Sequence, residues 1–373
     1  MRPPKILETD YLVIGSGLAG LYFAAKASEH GRVTIVTKRK LKEATSYLAQ
    51  AGVAAVLGDD DSLEQHAKDT IKTGAGLCNE KIVNLTVAEG PARVSDLEQR
   101  FQVPFTRNEK GELDLGLEGG HSRRRVLRVD DFTGVSIMEN LSRYVEQLPN
   151  VTVMEDCMAV DLLSLSKYGG ENACFGAFIM EQGSGAVDTV VARATIHASG
   201  VAGKVYLYTS NPDTAVGDGV AMAYRMGAQV TNMEFFQFHP TILYHPEAKS
   251  FLISEALRGE GGILKRADGT AFMSAYSDMR DLAPRDVVAR AIDSEMKVTG
   301  DDSVFLDMTH KGAEFLKKRF PNIYRETMRF GIDMAAKPIP VVPAAHYSCG
   351  GVQVDDTGHT SVPNLFAIGE VSH

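Results

Sequence analysis

The sequence contains no long apolar run. No stretch of about 18 or more apolar residues occurs, which is roughly the length that a membrane-spanning helix needs. The amino-terminal segment is charged, carries prolines and leads directly into a short apolar run, unlike an export signal. We therefore expect a cytoplasmic protein without a membrane partner.

Cysteine is scarce. The four cysteines show no C-x-x-C spacing and are Cys78, Cys157, Cys174 and Cys349. This scatter favours reduced thiols over a disulfide framework or a zinc site. Because no spacing of histidines and carboxylates suggests another metal site either, we expect a protein without a bound metal.

Positive charge is in deficit: 39 lysines and arginines stand against 48 acidic residues, for a net charge of -9. This balance argues against a nucleic-acid partner and favours a small-molecule ligand. No G-x-S-x-G or comparable nucleophile motif occurs, so we expect a bound cofactor to carry the chemistry.

The sequence does have length and glycine. With 373 residues, 44% of them hydrophobic, the chain is long enough for two lobes around a large core. The 35 glycines predict many tight turns and close backbone approaches. A cleft between two lobes would then be available to a ligand.

A glycine motif stands near the start of the chain. An apolar run at residues 10–14 leads into it, and an alanine-rich segment at 21–30 and a second apolar run at 33–36 follow. The motif consists of Gly15, Ser16, Gly17, Leu18, Ala19 and Gly20. The order predicts a strand, a turn, a helix and a strand, which open a Rossmann-like dinucleotide fold with a diphosphate at the helix N-terminus. A glycine turn without a ligand is the alternative.

The end of the second predicted strand departs from the usual NAD pattern. It reads Thr37, Lys38 and Arg39, where an acidic residue usually holds a ribose hydroxyl. This departure weakens the interpretation as an NAD site.

Further buried strands are predicted at residues 194–200 and 364–370, so one sheet would draw on both ends of the chain. Residues 238–346 change to helical and loop-rich segments with a proline cluster. We predict that residues 1–237 and 347–373 form one α/β domain and that 238–346 form a second domain inserted into it.

Several charged runs could belong to a ligand site or to the surface. Residues 118–125 place a glutamate, a histidine and three arginines around two glycines, although a charge run is more often a solvated surface. The run Asp59, Asp60 and Asp61 is most simply a solvated turn.

Four residues from separate runs could together bind carboxylates. They are His239, Ser254, Arg285 and His346. Guanidinium and imidazolium groups offer paired donors to such anions. A structural position in the core is the alternative for each histidine.

Taken together, the motifs resemble the L-aspartate oxidases of the succinate dehydrogenase and fumarate reductase flavoprotein superfamily. They occur in that family's order and cover essentially the whole chain: residues 15–20, 50–52, 118–122, 217–219, 237–241, 255–261, 284–286, 343–347 and 368–371. The resemblance implies a Rossmann-like α/β FAD-binding domain at residues 1–237 and 347–373, with an inserted α+β capping domain at 238–346.

Two positions bear on the choice within that superfamily. Succinate dehydrogenases bond FAD covalently through a histidine where this chain has Thr45, so the resemblance implies noncovalent FAD. The oxidases carry a carboxylate where this chain has Glu118, and the dicarboxylate enzymes carry a glutamine. Glu118 would pair with the ammonium group of aspartate, since a buried charge needs a partner.

The resemblance also assigns cofactor, substrate and catalytic residues. The cofactor contacts are Gly15, Ser16, Gly17, Leu18, Ala19, Gly20, Lys38, Thr45, Ser46, Gln50, Ala51, Gly52, Asp218 and Glu370. The substrate contacts are Glu118, Gln237 and Ser254, and the catalytic residues are His239, Arg285 and His346. With a guanidinium pKa above about 12, Arg285 would stabilise charge and pass a proton only transiently.

The implied reaction is the FAD-dependent oxidation of L-aspartate to iminoaspartate, with oxygen or fumarate as acceptor. It would be the first step of NAD biosynthesis via quinolinate, with a handover to quinolinate synthase. One alternative is a soluble fumarate reductase or succinate dehydrogenase flavoprotein. Another is a non-catalytic FAD-binding fragment, because the family continues past His373 into a carboxylate-binding arginine and a helical C-terminal domain. We expect residues 1–373 alone to bind FAD weakly and to turn over little aspartate.

Overall fold

The computed structural model describes residues 2–200, 202–248 and 250–373. The helices are α1 (Leu18–Ala27), α2 (Leu63–Thr73), α3 (Glu80–Ser95), α4 (Thr133–Glu146), α5 (Asp218–Arg225), α6 (Ala256–Gly259), α7 (Arg285–Thr299), α8 (Ala313–Arg319) and α9 (Pro321–Arg329). The strands are β1 (Ile6–Ile14), β2 (Val33–Val36), β3 (Val53–Ala54), β4 (Val126–Leu127), β5 (Val151–Met154), β6 (Cys157–Leu162), β7 (Gly176–Glu181), β8 (Val187–His197), β9 (Val230–Thr231), β10 (Phe236–Leu243), β11 (Ile263–Lys265), β12 (Val304–Asp307), β13 (Ile339–Ser348), β14 (Gly351–Val352) and β15 (Leu365–Ala367).

A mixed sheet organises the first lobe. In the described part of the chain it has seven strands in the order β5-β2-β1-β8-β7-β6, and β15 also pairs with β8. Strands β5, β2, β1, β8 and β15 run parallel, whereas β7 and β6 are antiparallel additions. The parallel order confirms the predicted α/β fold, and β15 confirms that the sheet draws a strand from the end of the chain.

The predicted opening unit is present. Strand β1 begins earlier than predicted, at Ile6, and helix α1 starts inside the glycine motif, at Leu18. β2 spans the predicted residues. One core cluster packs α1 and α4 against the sheet, and a second packs α5 against the opposite face. Helices on both faces are what a largely parallel sheet requires.

The second lobe is built on an antiparallel sheet of its own, in the order β10-β13-β12-β11. Helices α7, α8 and α9 pack on this sheet around a separate core cluster that includes Ile292, Leu306 and Ile323. This arrangement confirms the inserted α+β domain. The exact domain boundaries stay a prediction, because β10 and β13 extend across residues 238 and 346 into the first lobe.

The proline cluster lies in a strand and not in the loop-rich segment that the sequence suggested. Pro340 and Pro343 belong to β13, between β10 and β12. The ladder between β10 and β13 shifts register between His239 and Ile242, opposite Pro343. A proline without an N–H group is tolerated where a ladder is interrupted, which explains the exception. No helix in the described residues combines the length and apolarity needed to cross a membrane.

Candidate functional site

The turn between β1 and α1 is closely packed on β8. Gly15 has a φ of +114°, and a Cβ atom on it would lie 2.2 Å from the carbonyl oxygen of Ala198. A Cβ atom on Gly20 would lie 2.1 Å from the carbonyl oxygen of Gly15. Only glycine fits either position. At the helix start, Gly17 offers no side-chain cap and no acidic residue stands in the first turn, so the N-terminus of α1 is suited to an anion.

A cleft opens at this helix end and encloses about 880 Å³ free of protein atoms. It is lined by residues 15–19 and 36–39 and, from the other elements, by Ser46, Asp218 and Glu370. Lys38 reaches across it, since its Nζ atom bonds Asp218 Oδ1 at 2.7 Å and the Thr214 carbonyl at 2.8 Å. The structure therefore brings together the residues assigned to the ADP half of the cofactor.

A second cleft continues from the first, because Thr45, Ser46 and Glu370 line both. It encloses about 1100 Å³ and reaches Gln50 and His346. A narrow seam between the lobes then connects Gln50 with Ala51, Gly52, Glu118 and Ser254. Most of the predicted cofactor residues, together with Glu118 and Ser254, thus lie along one continuous path, whereas Gln237 lines a separate cleft.

Three charged side chains form a row beside this path, of which Glu255 and Arg258 are buried and Arg285 is partly exposed. Glu255 is 2% exposed and accepts from Arg258 Nη2 at 2.8 Å and from Arg285 Nε at 2.5 Å. Arg285 Nη1 also donates to Gln237 Oε1 at 2.8 Å. Among the described residues, Arg285 Nη2 has no hydrogen-bond partner, which leaves it free for an anionic ligand.

Glu118 lies next to this row. Burial raises the pKa of its carboxyl and the negative charge of Glu255 raises it further, while Arg285 opposes both. The backbone N–H of Gly52 donates to Glu118, and the backbone N–H of Gly119 donates to Glu255 Oε1 at 3.1 Å. The buried carboxyl group of Glu255 and the partly buried carboxyl group of Glu118 therefore share the neighbourhood of one free guanidinium edge.

His239 and His346 meet with ring centroids 5.0 Å apart. Burial, followed by the charge of Arg285, lowers the pKa of His346 to about 4 and holds the pKa of His239 well below its usual value. The imidazolium form expected from the sequence is therefore wrong, and both rings are neutral at pH 7. Thr241 N–H donates to His239 Nδ1 at 3.2 Å, which leaves the ring proton on Nε2.

The sequence reasoning passed over several residues of this site. Glu255 and Arg258 stand in a run that was noted only for its serine and glycines, although their spacing of three places them on one helical face. Ser210, which hydrogen-bonds His346 Nδ1 at 2.5 Å, comes from a loop without a local signal.

The expected solvated turn at residues 59–61 is wrong for Asp61, and the solvated alternative for residues 118–125 fails at Arg125. Both side chains are fully buried and form a two-bond ion pair. Arg123 and Arg124 are exposed. Burial therefore differs between consecutive residues of one charge run.

Comparison with known proteins identifies the family. The family model described as FAD binding domain matches residues 10–373. The L-aspartate oxidase of Pseudomonas aeruginosa is 51% identical over 373 residues, which cover 98% of this chain and 69% of that protein. The chain belongs to the L-aspartate oxidase family. The L-aspartate oxidase of Vibrio cholerae is 47% identical, over 100% of this chain and 71% of the relative.

Among solved structures, the fold of this L-aspartate oxidase family member is similar to the fold of fumarate reductases. A quinol fumarate reductase of E. coli superposes with a TM-score of 0.91 at 30% identity, over 99% of this chain and 65% of that one. The chain therefore spans about two thirds of the length of the relatives it matches.

The residues present fit the FAD that this family binds. At one end the joined clefts offer a helix N-terminus whose N-cap residue, Gly17, has no capping side chain, although Ser46 Oγ accepts from the Leu18 N–H; such an end is suited to a diphosphate. At the other end the side-chain oxygen Oε1 of Gln50 is buried without a hydrogen-bond partner in the described part of the chain, as expected of a ligand contact. Lys38 and Asp218, Ser46 and Glu370 would hold the cofactor between these ends.

Proposed function

We propose that the protein binds FAD noncovalently and oxidises L-aspartate to iminoaspartate, with oxygen or fumarate as the electron acceptor. The observation that carries the proposal is the partly buried carboxyl of Glu118, which lines the seam with Gln50 and Ser254 and lies in the field of Arg285. A dicarboxylate without an amino group has nothing to pair with Glu118, whereas aspartate brings an ammonium group. This difference favours the oxidase over a fumarate reductase or succinate dehydrogenase of the same superfamily.

The carboxylates of the substrate would be held by groups from α7, β10 and β13. Arg285 contributes its free Nη2 edge, and burial does not discharge it because Glu255 and Glu118 raise its pKa. His239 and His346 contribute neutral N–H donors, with His346 oriented by Ser210. Gln237 is turned towards Arg285 and fixes the direction of its guanidinium plane.

Glu118 would bind the ammonium group and take the proton that this group must lose before an imine can form. Its raised pKa suits both steps, because a carboxylate of ordinary acidity would return the proton at once. Ser254, 1% exposed, accepts from the Ala256 N–H at 3.2 Å, which leaves its hydroxyl hydrogen for the substrate. Bound FAD would supply the hydride acceptor, with oxygen or fumarate as the proposed final electron acceptor.

Noncovalent attachment is supported by the residues that line the cofactor path. Thr45 stands there with a hydroxyl group, which is a poor partner for a stable bond to the flavin ring, and the neighbouring Ser46 hydroxyl already accepts from the Leu18 N–H at 3.1 Å. Denaturation followed by filtration should therefore release all flavin from the polypeptide. Flavin retained on the polypeptide would contradict this part of the proposal.

The proposed activity is tested on the full-length protein loaded with FAD in the absence of oxygen. L-Aspartate should bleach the flavin absorbance, and succinate and D-aspartate should bleach it far more slowly. Fumarate or air added afterwards should restore the colour. Bound FAD without bleaching by L-aspartate would favour the non-catalytic alternative, and faster bleaching by succinate would favour a succinate dehydrogenase.

Iminoaspartate would be passed to quinolinate synthase and would serve NAD biosynthesis through quinolinate. A cytoplasmic location is part of the proposal and is supported by the four free cysteines, of which Cys157 and Cys174 are buried. Free thiols persist in reducing compartments.

A further inference from the structure

The turn that carries Glu118 is attached to helix α2. In residues 118–122 the N–H of His121 donates to the carbonyl of Glu118 at 3.3 Å, and Gly120 has a φ of +82°. A Cβ atom on Gly120 would lie 2.8 Å from Thr73 Oγ1, so the turn lies directly on the helix. We call this segment the 118–122 turn.

Asp69 is the centre of the attachment. Its Oδ2 atom accepts from the Ser122 N–H at 2.9 Å, from Ser122 Oγ at 2.7 Å and from Arg125 Nη1 at 2.7 Å. Gln65, one helical turn earlier, donates to Asp69 Oδ1 at 3.0 Å and to Ser122 Oγ at 3.0 Å. Burial opposes the ionisation of Asp69, but the bonds from Ser122 and Arg125 outweigh it and lower its pKa to about 2.

Arg125 closes the attachment at the far end of the turn. Its side chain is 0% exposed, and its Nε and Nη2 atoms bond the two oxygens of Asp61 at 2.7 and 2.8 Å. Its Nη1 atom lies 3.1 Å from His121 Nδ1. A fully buried guanidinium with every nitrogen bonded fixes geometry more than it adds stability, since its desolvation offsets much of the attraction.

The opposite side of the same turn faces the charged row of the site. Gly119 N–H donates to Glu255 Oε1 at 3.1 Å, and Glu118 lies in the field of Glu255 and Arg285. Two like-charged carboxyl groups there repel each other, so a restraint on the turn from outside would help the Gly52 N–H and Arg285 to keep Glu118 in position. The contacts of Asp69 and Arg125 supply that restraint.

We propose that Asp69 and Arg125 are positioning residues for aspartate oxidation, which fix the 118–122 turn on α2 and thereby hold Glu118 beside Arg285. The proposal rests on the proposed function. It assigns a role to a buried ion cluster that touches neither the cofactor path nor the substrate contacts.

The test replaces Asp69 with asparagine in the FAD-loaded protein, and Asp60→Asn is the control, since Asp60 is exposed two residues before the helix cap. Asp69→Asn should lower kcat/KM for aspartate about 100-fold, as expected of a displaced substrate contact. In a Glu118→Gln background the same change should cost only about 2-fold, because the contact that it displaces is already lost. Equal losses in both backgrounds would overturn the proposal, since Asp69 would then act independently of Glu118.

A second readout does not depend on turnover. Arg123 and Arg124 are exposed immediately after the turn, so trypsin should cut there faster in Asp69→Asn than in the wild type or in Asp60→Asn. Ser122→Ala removes one hydrogen bond to Asp69 and changes no buried charged residue, so it should raise the cutting rate less. This variant also provides a test if Asp69→Asn fails to fold. Unchanged cutting in both variants would overturn the proposal, whereas absent aspartate turnover in the wild type would contradict only the proposed function.

Discussion

At the scale of single residues, the proposed reaction would depend on the ionisation of Glu118. Its pKa is raised, first by burial and then by Glu255, so protonation on acidification begins at a higher pH than for an ordinary glutamate. Only the ionised form pairs with an ammonium group. Activity that depends on this pair is therefore present above the pKa of Glu118 and is lost as pH falls through it.

We expect kcat/KM for aspartate to decline on the acid side, and Glu118→Gln to be roughly 30-fold or more less active without that decline, the loss typical of removing one partner of a buried charge pair. Fumarate reduction should change much less, because fumarate has no cation. The pH profiles of both activities measure this, with Glu109→Gln as an exposed control. A persisting acid limb in Glu118→Gln would assign the titration to another group.

Residue-level prediction from sequence grouped residues that the structure brings together where a local motif exists, and it failed where burial decides; the roles of these residues stay predictions. Glu118 and Arg285 were assigned from their motifs, and the structure places them as neighbours. The three arginines at 123–125 could not be told apart, since only the fold determines that Arg125 meets Asp61, 64 positions away.

At the scale of elements, the glycines of the turn between β1 and α1 have two different roles. Gly15 is required by the fold, whereas Gly17 leaves room for the ligand. Gly15→Ala would put a side chain 2.2 Å from a backbone oxygen at a φ of +114°, so the fold itself should lose about 3 kcal/mol or more. Gly17→Val meets only Ser46 Oγ, 3.3 Å from the added Cβ, so the fold should persist.

The same Gly17→Val variant should bind FAD at least about tenfold more weakly, which corresponds to about 1.4 kcal/mol, because the branched side chain occupies the approach to the diphosphate. Thermal melting and quenching of FAD fluorescence measure the two effects separately. Wild-type FAD affinity in Gly17→Val would place the diphosphate elsewhere.

Elements that depend on neighbouring residues were predictable, and those that depend on distant pairing were not. The opening unit follows from hydrophobic runs and glycines within 36 residues of the chain start. The sheet of the second lobe pairs β10 with β13 across about a hundred residues, and the prolines of β13 indicated a loop. In β13, pairing with distant strands outweighs the low strand propensity of proline.

At the scale of the whole molecule, one buried carboxylate joins the two lobes. Asp131, 2% exposed in the first lobe, accepts from the N–H groups of Asn322 and Ile323 at 3.1 and 2.7 Å. Those groups form the N-terminus of α9 in the second lobe, 191 positions away in the chain. No local pattern could have indicated this contact.

Asp131→Ala should destabilise the protein by about 0.5 to 2 kcal/mol, the usual loss for a helix cap. It should also raise the KM for aspartate, since the seam between the lobes contains Glu118 and Ser254. Urea unfolding and steady-state kinetics measure both, with the exposed Asp59→Ala as control. If Asp131→Ala were as stable as the wild type, water would replace the carboxylate as the partner of the two N–H groups without any loss in the free energy of unfolding.

The position of β15 in the large sheet has a consequence for synthesis. β15 pairs with the C-terminal end of β8, but about 170 residues separate them in the chain, and the second lobe lies between. As the chain leaves the ribosome, the second lobe has all its strands by Ser348, while β8 still has an unpaired edge that other chains could join. The inserted lobe therefore has the means to complete its fold before the lobe that surrounds it.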